Sequence, residues 1–597
     1  MSSSLNEDLT GSRETEEIQD DYMNSITNSQ EIIQIINNTR SDASPGPDGL
    51  NAAFYNAAWS WIADDVVKLI QQFYRTGTLP AGINSTHIAL IPKCNNTHAP
   101  QNFRPISLCN VIYKIISKSL AERIKIHLPN YIHSSQSAFI PGRHITSNII
   151  ITQEITNLFI LKTWNQKAFL LQLDLGKAFH RIEWNFIVKA LKNRGFANHF
   201  INLITSFISS PSFSILINGQ PYYNFKSQRG IRQGCPLSPY LFVLAINELS
   251  CNLQQAMRNR EIQGISLGPD CSHSLTATQQ EAQSIKEVLH NFCLPSGQTP
   301  NWNKSAIHFS KKVSQTEKKN IIRHIFPAPL LTNNSTHLGH PLLFSYKDRA
   351  AAYNFILNNF YAKISYLKAN KLNHAGRLIY LRSVLASIPI YYMANILFPA
   401  NFMHKIDSIM RNFWWAGVQD ENSTHPIAFR SWDDICTPKV LGGLGLKKMS
   451  TVNRRLVLHS AWMIVNGKDP FLTSILKSKY FHNSSFWKCN MNGPKSVFRS
   501  SIQGVKNQLV AQVINDEQVL PSSSTGRQRS EHEEREQGCT STQVQDGVDP
   551  LTAETLAMKL AIKIIHSLGQ NDCFYYTDSQ ILVDNLNSKH NLNRTNN

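Results

Sequence analysis

One aspartate of this sequence stands where a divalent cation could be held. Asp174 lies near the end of the apolar run AFLLQLDL, residues 168–175, and a helix is predicted to begin near Lys177. A strand fixes the backbone while its end opens to solvent, so a carboxylate at that point can ligate a cation. An aspartate after a strand is also a common turn or N-cap residue, and this observation alone leaves both interpretations open.

Two basic side chains occur in a second segment. Lys93 follows the run HIALIP and Arg104 lies in NFRPISL, and these runs predict a strand-loop-strand hairpin that brings the two side chains near each other. A pair of cations suits the oxygens of a triphosphate. Basic side chains on an exposed hairpin are also often simply solvated, so the hairpin alone does not decide between these interpretations.

A third segment is a basic turn that contains glycines. Residues 229–234 read RGIRQG, and Ser238 and Pro239 then match an N-cap followed by proline at the first helical position. A loop of this kind at a helix N-terminus can hold a phosphate or pack under a nucleic-acid base. The alternative interpretation is an ordinary helix start.

The elements that must position these residues predict an α+β fold. From residue 85 to residue 310, short apolar runs alternate with longer helical stretches, which indicates a sheet packed against helices. Residues 50–76 and most of 350–485 show helical periodicity instead. The polar segment 521–549 is typical of a linker, and a short helix-then-strand piece is predicted at 551–588.

The charge of the chain favours a polyanionic partner. The formal net charge is +18, and residues 41–500 carry +28, with 49 Lys and Arg against 21 Asp and Glu, because both ends are acidic. A body this basic suits nucleic acid, although a soluble surface can also be basic without such a partner.

Cysteine use and hydropathy exclude other classes. The ten cysteines include no C-x-x-C pair, which argues against a zinc module or a disulfide framework. The acidic, polar N-terminus lacks a secretory or transit pattern, so an intracellular protein is expected. The most apolar run, residues 383–398, is interrupted by Pro389, so no membrane span is predicted.

Taken together, the motifs resemble the reverse transcriptase of plant LINE-type (non-LTR) retrotransposons. The runs that carry the resemblance extend from residue 44 to about 446, and weakly to 480, in the order SPGPDGL, IPK, NFRPISL, SQSAFIPGR, LDLGKAF, RQGCPLSPYLF, SGQTPNWNKS, LGHPL, HAGRLIYLRSVLASIPIYYM, FWWAG and PKVLGGLGL. The resemblance implies a right-hand polymerase. Its expected parts are an acidic N-terminal segment (1–43), fingers (44–165), palm (166–310), a helical thumb and connection (311–500), a polar linker (501–550) and a partial RNase H-like domain (551–597).

The resemblance also implies roles for individual residues and for partners. Asp174 corresponds to the first metal-binding aspartate of the palm, and Phe179 to the bulky side chain that excludes a ribonucleotide 2′-hydroxyl. Gln233 and Gly234 match the loop that contacts the incoming nucleotide and the template, and the cations of the hairpin, Lys93 and Arg104, match those on the triphosphate. Members of the family use two Mg²⁺ ions, an RNA template, a DNA primer, the RNA–DNA hybrid and dNTPs, and they act in the nucleus.

The sequence departs from its family at the second group of metal ligands. The family pattern places an aromatic-Ala-Asp-Asp hairpin after the palm helix, yet the only aspartate between Asp174 and Asp348 is Asp270. In addition, His180 stands where the family usually has aspartate. Two cations need more than one palm carboxylate, so this chain is expected to have little or no polymerase activity. The alternative to an impaired polymerase is a relic that binds RNA or RNA–DNA hybrid without catalysis.

The C-terminal piece resembles part of an RNase H domain. Glu554 in LTAETLA and Asp578 in YYTDSQ match two metal ligands of that domain, which serve catalysis in this family. The match covers only about forty residues and leaves no room for the strand that carries the first aspartate, so a working RNase H is not expected.

Overall fold

The computed structural model describes eleven stretches of the chain, namely residues 23, 25–93, 99–161, 164–268, 271–276, 278–332, 335–342, 349–366, 372–417, 427–480 and 496–505. Glu554, Asp578 and Asp270 lie outside these described residues. The chain divides into two compact units. The first comprises the described residues up to Ser335 together with Asp469–Lys479, and the second comprises Thr336–Lys468 and the described residues from Tyr480 onward.

Among the described residues, both units contain more helix than strand. The α-helices are α1 (Ser29–Asn37), α2 (Ala52–Thr76), α3 (Val111–Tyr131), α4 (Ile145–Ile160), α5 (Ala178–Arg181), α6 (Trp184–Lys192), α7 (Asn198–Ser209), α8 (Ser238–Arg258), α9 (Gln279–Ser296), α10 (Gln315–Asn320), α11 (Arg349–Ala352), α12 (Asn354–Tyr366), α13 (His374–Ser383), α14 (Ile390–Met393), α15 (Ala400–Ala416), α16 (Trp432–Cys436), α17 (Met449–Val465) and α18 (Pro470–Tyr480). Short 3₁₀ turns span Pro100–Asn102, Leu385–Ser387 and Lys439–Leu441, and a π-turn spans Ile321–Ile325.

Among the described residues, the strands form two four-stranded sheets in the first unit and a short pair in the second. Their bounds are β1 (Ser85–Pro92), β2 (Phe103–Cys109), β3 (Ala168–Gln172), β4 (Ser212–Ile217), β5 (Gln220–Lys226), β6 (Gly264–Gly268), β7 (Cys271–Thr276), β8 (Ala306–Phe309), β9 (Thr336–His337) and β10 (His340–Pro341). The mixture of sheets and helices is the α+β class that the sequence predicted.

One four-stranded sheet, here called the fingers sheet, has the order β2-β1-β4-β5. Strands β1 and β2 form the predicted antiparallel hairpin, in which Ile91 lies opposite Arg104. Strand β4 pairs with β1 in parallel, and β5 pairs antiparallel with β4. The β4–β5 hairpin therefore lies beside β1, although in sequence it falls within the range 166–310 that was predicted as palm.

The other sheet, here called the palm sheet, has the order β6-β7-β3-β8, with β3 antiparallel to both of its neighbours. This order is that of a split βαβ arrangement, in which the first strand lies between the third and the fourth. Phe169 of β3 and Ile307 of β8 are buried in one apolar cluster with side chains of α8 and α9, such as Ala256 and Ile285. The two helices thereby cover the sheet and hold β3 in place.

Local sequence signals explain several helix boundaries. Asn51 caps α2 by accepting a hydrogen bond from the backbone N–H of Phe54 (3.0 Å), and Gly77 ends this helix at a φ of 70°. The predicted cap of α8 is wrong by one residue: Leu237 is the N-cap and provides no side-chain cap hydrogen bond, and Ser238 begins the helix. Leu237 is fully buried, and its N–H donates to Ser117 Oγ (3.1 Å), which anchors the helix start one residue earlier.

Among the described residues, no helix is both long and apolar enough to cross a membrane. The apolar run 383–398 contains the end of α13, a 3₁₀ turn and the short helix α14. Leu385 and Met393 of this run are fully buried in the apolar core of the second unit.

The second unit also buries a histidine among aromatic rings. His340 of β10 is 1% exposed, its Nδ1 lies 3.0 Å from the hydroxyl of Tyr353, and its ring centroid lies 4.8 Å from that of Tyr391 and 5.0 Å from that of Tyr392. Burial among these rings lowers the pKa of His340 to about 4. The neutral imidazole is therefore the form that the fold stabilises.

We expect the stability of the second unit to fall as the pH falls from 6.5 toward 4. In that range the unfolded chain binds a proton at His340, whose ordinary pKa is 6.5, while the folded chain does not. This group therefore contributes stability above pH 6.5, and about 3 kcal/mol of it is lost by pH 4. Urea midpoints from pulse proteolysis, taken across this pH range, measure the effect.

The matched control is His340→Gln, which removes the titration and keeps a polar side chain. Because His337 also has a lowered pKa and is present in both proteins, the difference between the two pH profiles isolates residue 340. Parallel profiles would contradict the assignment of the effect to His340.

Candidate active site

The backbone at Asp174 is held on both sides by the segment that precedes β8. The N–H of Asp174 donates to Ser305 Oγ (3.0 Å), and its carbonyl accepts from the N–H of Asn301 (2.8 Å). Two residues later, the N–H of Gly176 donates to the carbonyl of Thr299 (2.9 Å). Asp174 itself is half-buried at the end of β3. The position of its carboxylate is thus set by a strand end and by a second stretch of chain.

The same segment, SGQTPNWNKS, also contacts α5. Gln298, which is 1% exposed, donates through Nε2 to the carbonyl of Ala178 (3.0 Å). Gly297 adopts a φ of 71°, and a Cβ at this position would lie 2.3 Å from the carbonyl oxygen of Arg181. Only glycine fits so close an approach. The sequence identified this run only as a family motif, and its positioning role becomes visible in the hydrogen bonds.

The basic turn at 229–234 joins α5 to the fingers sheet. The N–H of Ile231 donates to the carbonyl of Phe179 (2.8 Å), and the N–H of Ser107 on β2 donates to the carbonyl of Gln233 (3.2 Å). Gly234 follows at a φ of 100°, a conformation that favours glycine. Phe179, Gln233 and Gly234, which the sequence singled out separately, therefore lie along one hydrogen-bonded path.

The ring of Phe179 packs against α8. It stacks on Phe242, with centroids 4.9 Å apart and an interplanar angle of 19°. Phe179 is half-buried, so part of its surface stays accessible. Packing of this kind gives the aromatic side chain one defined position, five residues after Asp174 along the chain.

The hairpin cations lie on one face of the fingers sheet. Lys93 continues the β1–β2 ladder through its N–H, which donates to the carbonyl of Asn102 (2.9 Å), and both Lys93 and Arg104 are exposed. Residues two apart on a strand share a face, so Lys93 lies on the same face as Ile91. Arg104 pairs with Ile91 across the hairpin and therefore lies on that face as well. The predicted proximity of the two cations follows from this register.

Electrostatics connect the hairpin with the palm. Partial desolvation of the ring and the positive charges of Lys177 and Lys93 together lower the pKa of His180. Lys93 of the fingers sheet is therefore close enough to α5 to act on its histidine. His180, at the position where the family has aspartate, adds no negative charge there.

A cavity of about 140 Å³ lies at the base of the basic turn, and its lining includes His180, Arg229, Arg232 and Gln233. Arg232 is 7% exposed, donates to Thr86 Oγ1 (2.9 Å) and to Asn84 Oδ1, and lies 3.8 Å from the ring centroid of Tyr113. Its described partners are neutral or aromatic, and the cation–π contact stabilises the charge. In the sequence Arg232 is only part of a basic turn, and that pattern does not predict its burial.

The described residues do not fit a two-magnesium site. Mg²⁺ prefers oxygen ligands, and Asp174 supplies one carboxylate. Within the part of the chain that the structure describes, no group of three or more His, Cys, Asp and Glu side chains could hold a metal ion.

Part of the chain matches a known protein family. Residues 91–326 match the family model described as Reverse transcriptase (RNA-dependent DNA polymerase). These residues form a reverse transcriptase domain. The match contains Lys93, Arg104, Asp174, Phe179, Gln233 and Gly234.

The reverse transcriptase domain has homologues in non-LTR retrotransposons. An uncharacterized 149 kDa protein of transposon TX1 from Xenopus laevis is 29% identical over 46% of this chain and 21% of its own length. The Pol polyprotein of a type-1 retrotransposable element R2 from Popillia japonica is 28% identical over 31% of this chain and 26% of its own length. A candidate ribonuclease H protein of Arabidopsis thaliana is 28% identical over 26% of this chain and 24% of its own length.

The chain thus spans about a quarter or less of the length of these curated relatives. Among solved structures, telomerase from Candida tropicalis in complex with a fragment of telomeric RNA is 12% identical, with a TM-score of 0.31 over 80% of this chain and 67% of the other.

Proposed function

We propose that this chain is the reverse transcriptase part of a plant LINE-type element that binds an RNA template, a DNA primer and dNTPs but is impaired in DNA synthesis. The observation that carries the proposal is the palm itself. Its strand β3 presents Asp174, while the chain between β6 and β7 offers Asp270 in place of a pair of adjacent aspartates. Two Mg²⁺ ions, which the family uses to promote nucleotidyl transfer, would lack charge balance on so few carboxylates.

Template binding is supported by charge rather than by metal ligands. The four strands of the fingers sheet contain Arg104 and Lys226 and no Asp or Glu. Lys93 and Arg104 share one face of this sheet and suit the phosphates of a dNTP. Phe179, Gln233 and Gly234 would then contact the sugar and base of the nucleotide and the template.

Two further expectations belong to the proposal. The C-terminal piece is an RNase H remnant without activity, since only Glu554 and Asp578 of its side chains match metal ligands of that domain. The site of action is the nucleus, where a LINE-type element meets chromosomal DNA. Both expectations are drawn from the family resemblance.

The test combines binding with synthesis on the full chain. Fluorescence anisotropy with a labelled RNA–DNA primer–template should show affinity that falls steeply with added salt, because phosphate contacts release counterions. Primer extension with Mg²⁺ and dNTPs should be no faster than that of Asp174→Ala. If the parent chain extends the primer and Asp174→Ala does not, the impairment is disproved. If the affinity does not depend on the salt concentration, the proposed function is disproved.

A further inference from the structure

Strand β5 presents an unusual set of exposed rings at the edge of the fingers sheet. All seven of its residues are exposed, and Tyr222, Tyr223 and Phe225 are 47%, 83% and 42% exposed. These three residues are here called the aromatic strip. Large exposed rings gathered on one short strand mark an interaction surface more often than a solvated one.

Tyr223 adopts a backbone conformation that a bulky residue rarely takes. The pairing of β4 with β5 shifts between Ser214, which faces Asn224, and Ile215, which faces Tyr222, so Tyr223 is the extra residue of a β-bulge. Its φ is 51°, in the left-handed region that glycine enters freely. Glycine would adopt this bulge conformation at a lower cost in conformational free energy. The aromatic ring at this position therefore indicates a role other than forming the bulge.

The aromatic strip continues into the candidate active site. Phe225 stacks on Phe213 of β4, with ring centroids 5.7 Å apart. Both rings line the cavity that Arg229 and Gln233 also line. A strand of nucleic acid bound at the basic turn would therefore lie close to Phe225, the inner end of the strip.

Charge indicates which partner fits the strip. The four strands of the fingers sheet contain no Asp or Glu, and their cations Arg104 and Lys226, the latter on β5 itself, are both exposed. Such a surface is complementary to a polyanion. The bulge also twists the edge of the sheet, which opposes addition of a further protein strand.

We propose that the aromatic strip stacks the unpaired bases of a single-stranded RNA template as it approaches the active site. Every base has a flat face that can stack on an aromatic ring, whereas paired bases in a duplex hide theirs. The strip would thus distinguish single strand from hybrid without reading sequence. This inference rests on the proposed template binding and adds the surface that performs one part of it.

The experiment uses the full chain and two labelled RNA–DNA hybrids, one blunt and one with a 5′ RNA overhang of about eight nucleotides. Tyr223→Gly removes the ring and relieves the backbone, so it should fold at least as well as the parent protein. We expect it to weaken binding of the overhang hybrid about tenfold and to leave the blunt hybrid unchanged. Tyr223→Phe keeps the ring and should bind both hybrids as the parent does.

Trp61→Ala is the matched control, because Trp61 of α2 is also exposed (70%) and lies outside the strip. It should change neither affinity. Equal weakening of blunt and overhang hybrids by Tyr223→Gly, or no weakening at all, would overturn the inference. So would a change of oligomeric state in Tyr223→Gly at constant RNA affinity, since the strip would then be a protein-docking surface.

The outcomes for the parent protein separate this inference from the proposed function. Failure to bind either hybrid in a salt-sensitive way would contradict template binding as such. Salt-sensitive binding with no preference for the overhang would contradict the role of the aromatic strip alone.

Discussion

Primer extension is expected to rise at least about 10³-fold when residues 264–276 are replaced by a hairpin that carries an aromatic-Ala-Asp-Asp turn. The physical reason is the order of the palm sheet. Strand β7 pairs with β3, with Leu275 opposite Phe169, so the hairpin is the direct neighbour of the strand that ends at Asp174. Carboxylates placed in its turn would join Asp174 in charge-balancing two cations. A gel-based extension assay with Mg²⁺ measures the gain.

The control for this graft is the same hairpin with Asn-Asn in its turn, which keeps shape and removes charge. It should extend the primer no better than the parent chain. An active Asn-Asn graft would show that the gain comes from folding of the hairpin and not from its carboxylates. An inactive Asp-Asp graft that still binds primer–template would show that the palm lacks something besides these ligands.

Lys479→Met is expected to destabilise the packing of α18 against α4 by about 3–5 kcal/mol. Lys479 Nζ lies 2.5 Å from Glu154 Oε2, and the two side chains are 9% and 2% exposed. Removing the cation breaks a buried ion pair, which costs far more than the loss of a surface pair. Hydrogen–deuterium exchange of peptides from α4 reports the local free energy of opening.

Two variants serve as comparisons for Lys479→Met. Lys125→Met breaks the exposed pair with Glu122, whose side chains are 40% and 43% exposed, and should cost less than about 1 kcal/mol. Glu154→Gln combined with Lys479→Met removes both charges and should recover most of the lost stability. Equal exchange of α4 in Lys479→Met and Lys125→Met would refute the importance of the buried pair.

Local features of the fold could be predicted from the sequence. The helix that became α2, the β1–β2 hairpin and the strand before Asp174 were all predicted, because each is encoded by periodicity within a few residues. The position of the β4–β5 hairpin beside β1 was not predicted, since parallel pairing between distant segments leaves no local pattern in the sequence. Strand β5 has no buried face and so gave no alternation of polar and apolar residues.

The candidate site could likewise be predicted only in part. Asp174, Lys93 and Arg104 could be singled out by residue type at a strand end or hairpin, without knowledge of the fold. The hydrogen bonds of Ser305 and Asn301 to the backbone of Asp174 could not be predicted, because they join segments more than 120 residues apart. Whether a charged side chain such as Arg232 is buried depends on its neighbours in space, which composition does not show.

The parallel pairing of β1 with β4 has a consequence for how the protein folds during synthesis. Ser85 lies beside Ser212, so the fingers sheet cannot close until the ribosome has released more than 120 further residues, β3 among them. Contacts between distant segments slow folding, and waiting strands expose unpaired edges to aggregation. A nascent chain that ends before β4 would therefore hold an incomplete sheet, and chaperones that shield β1 would raise the yield of native protein more than those that act on the finished chain.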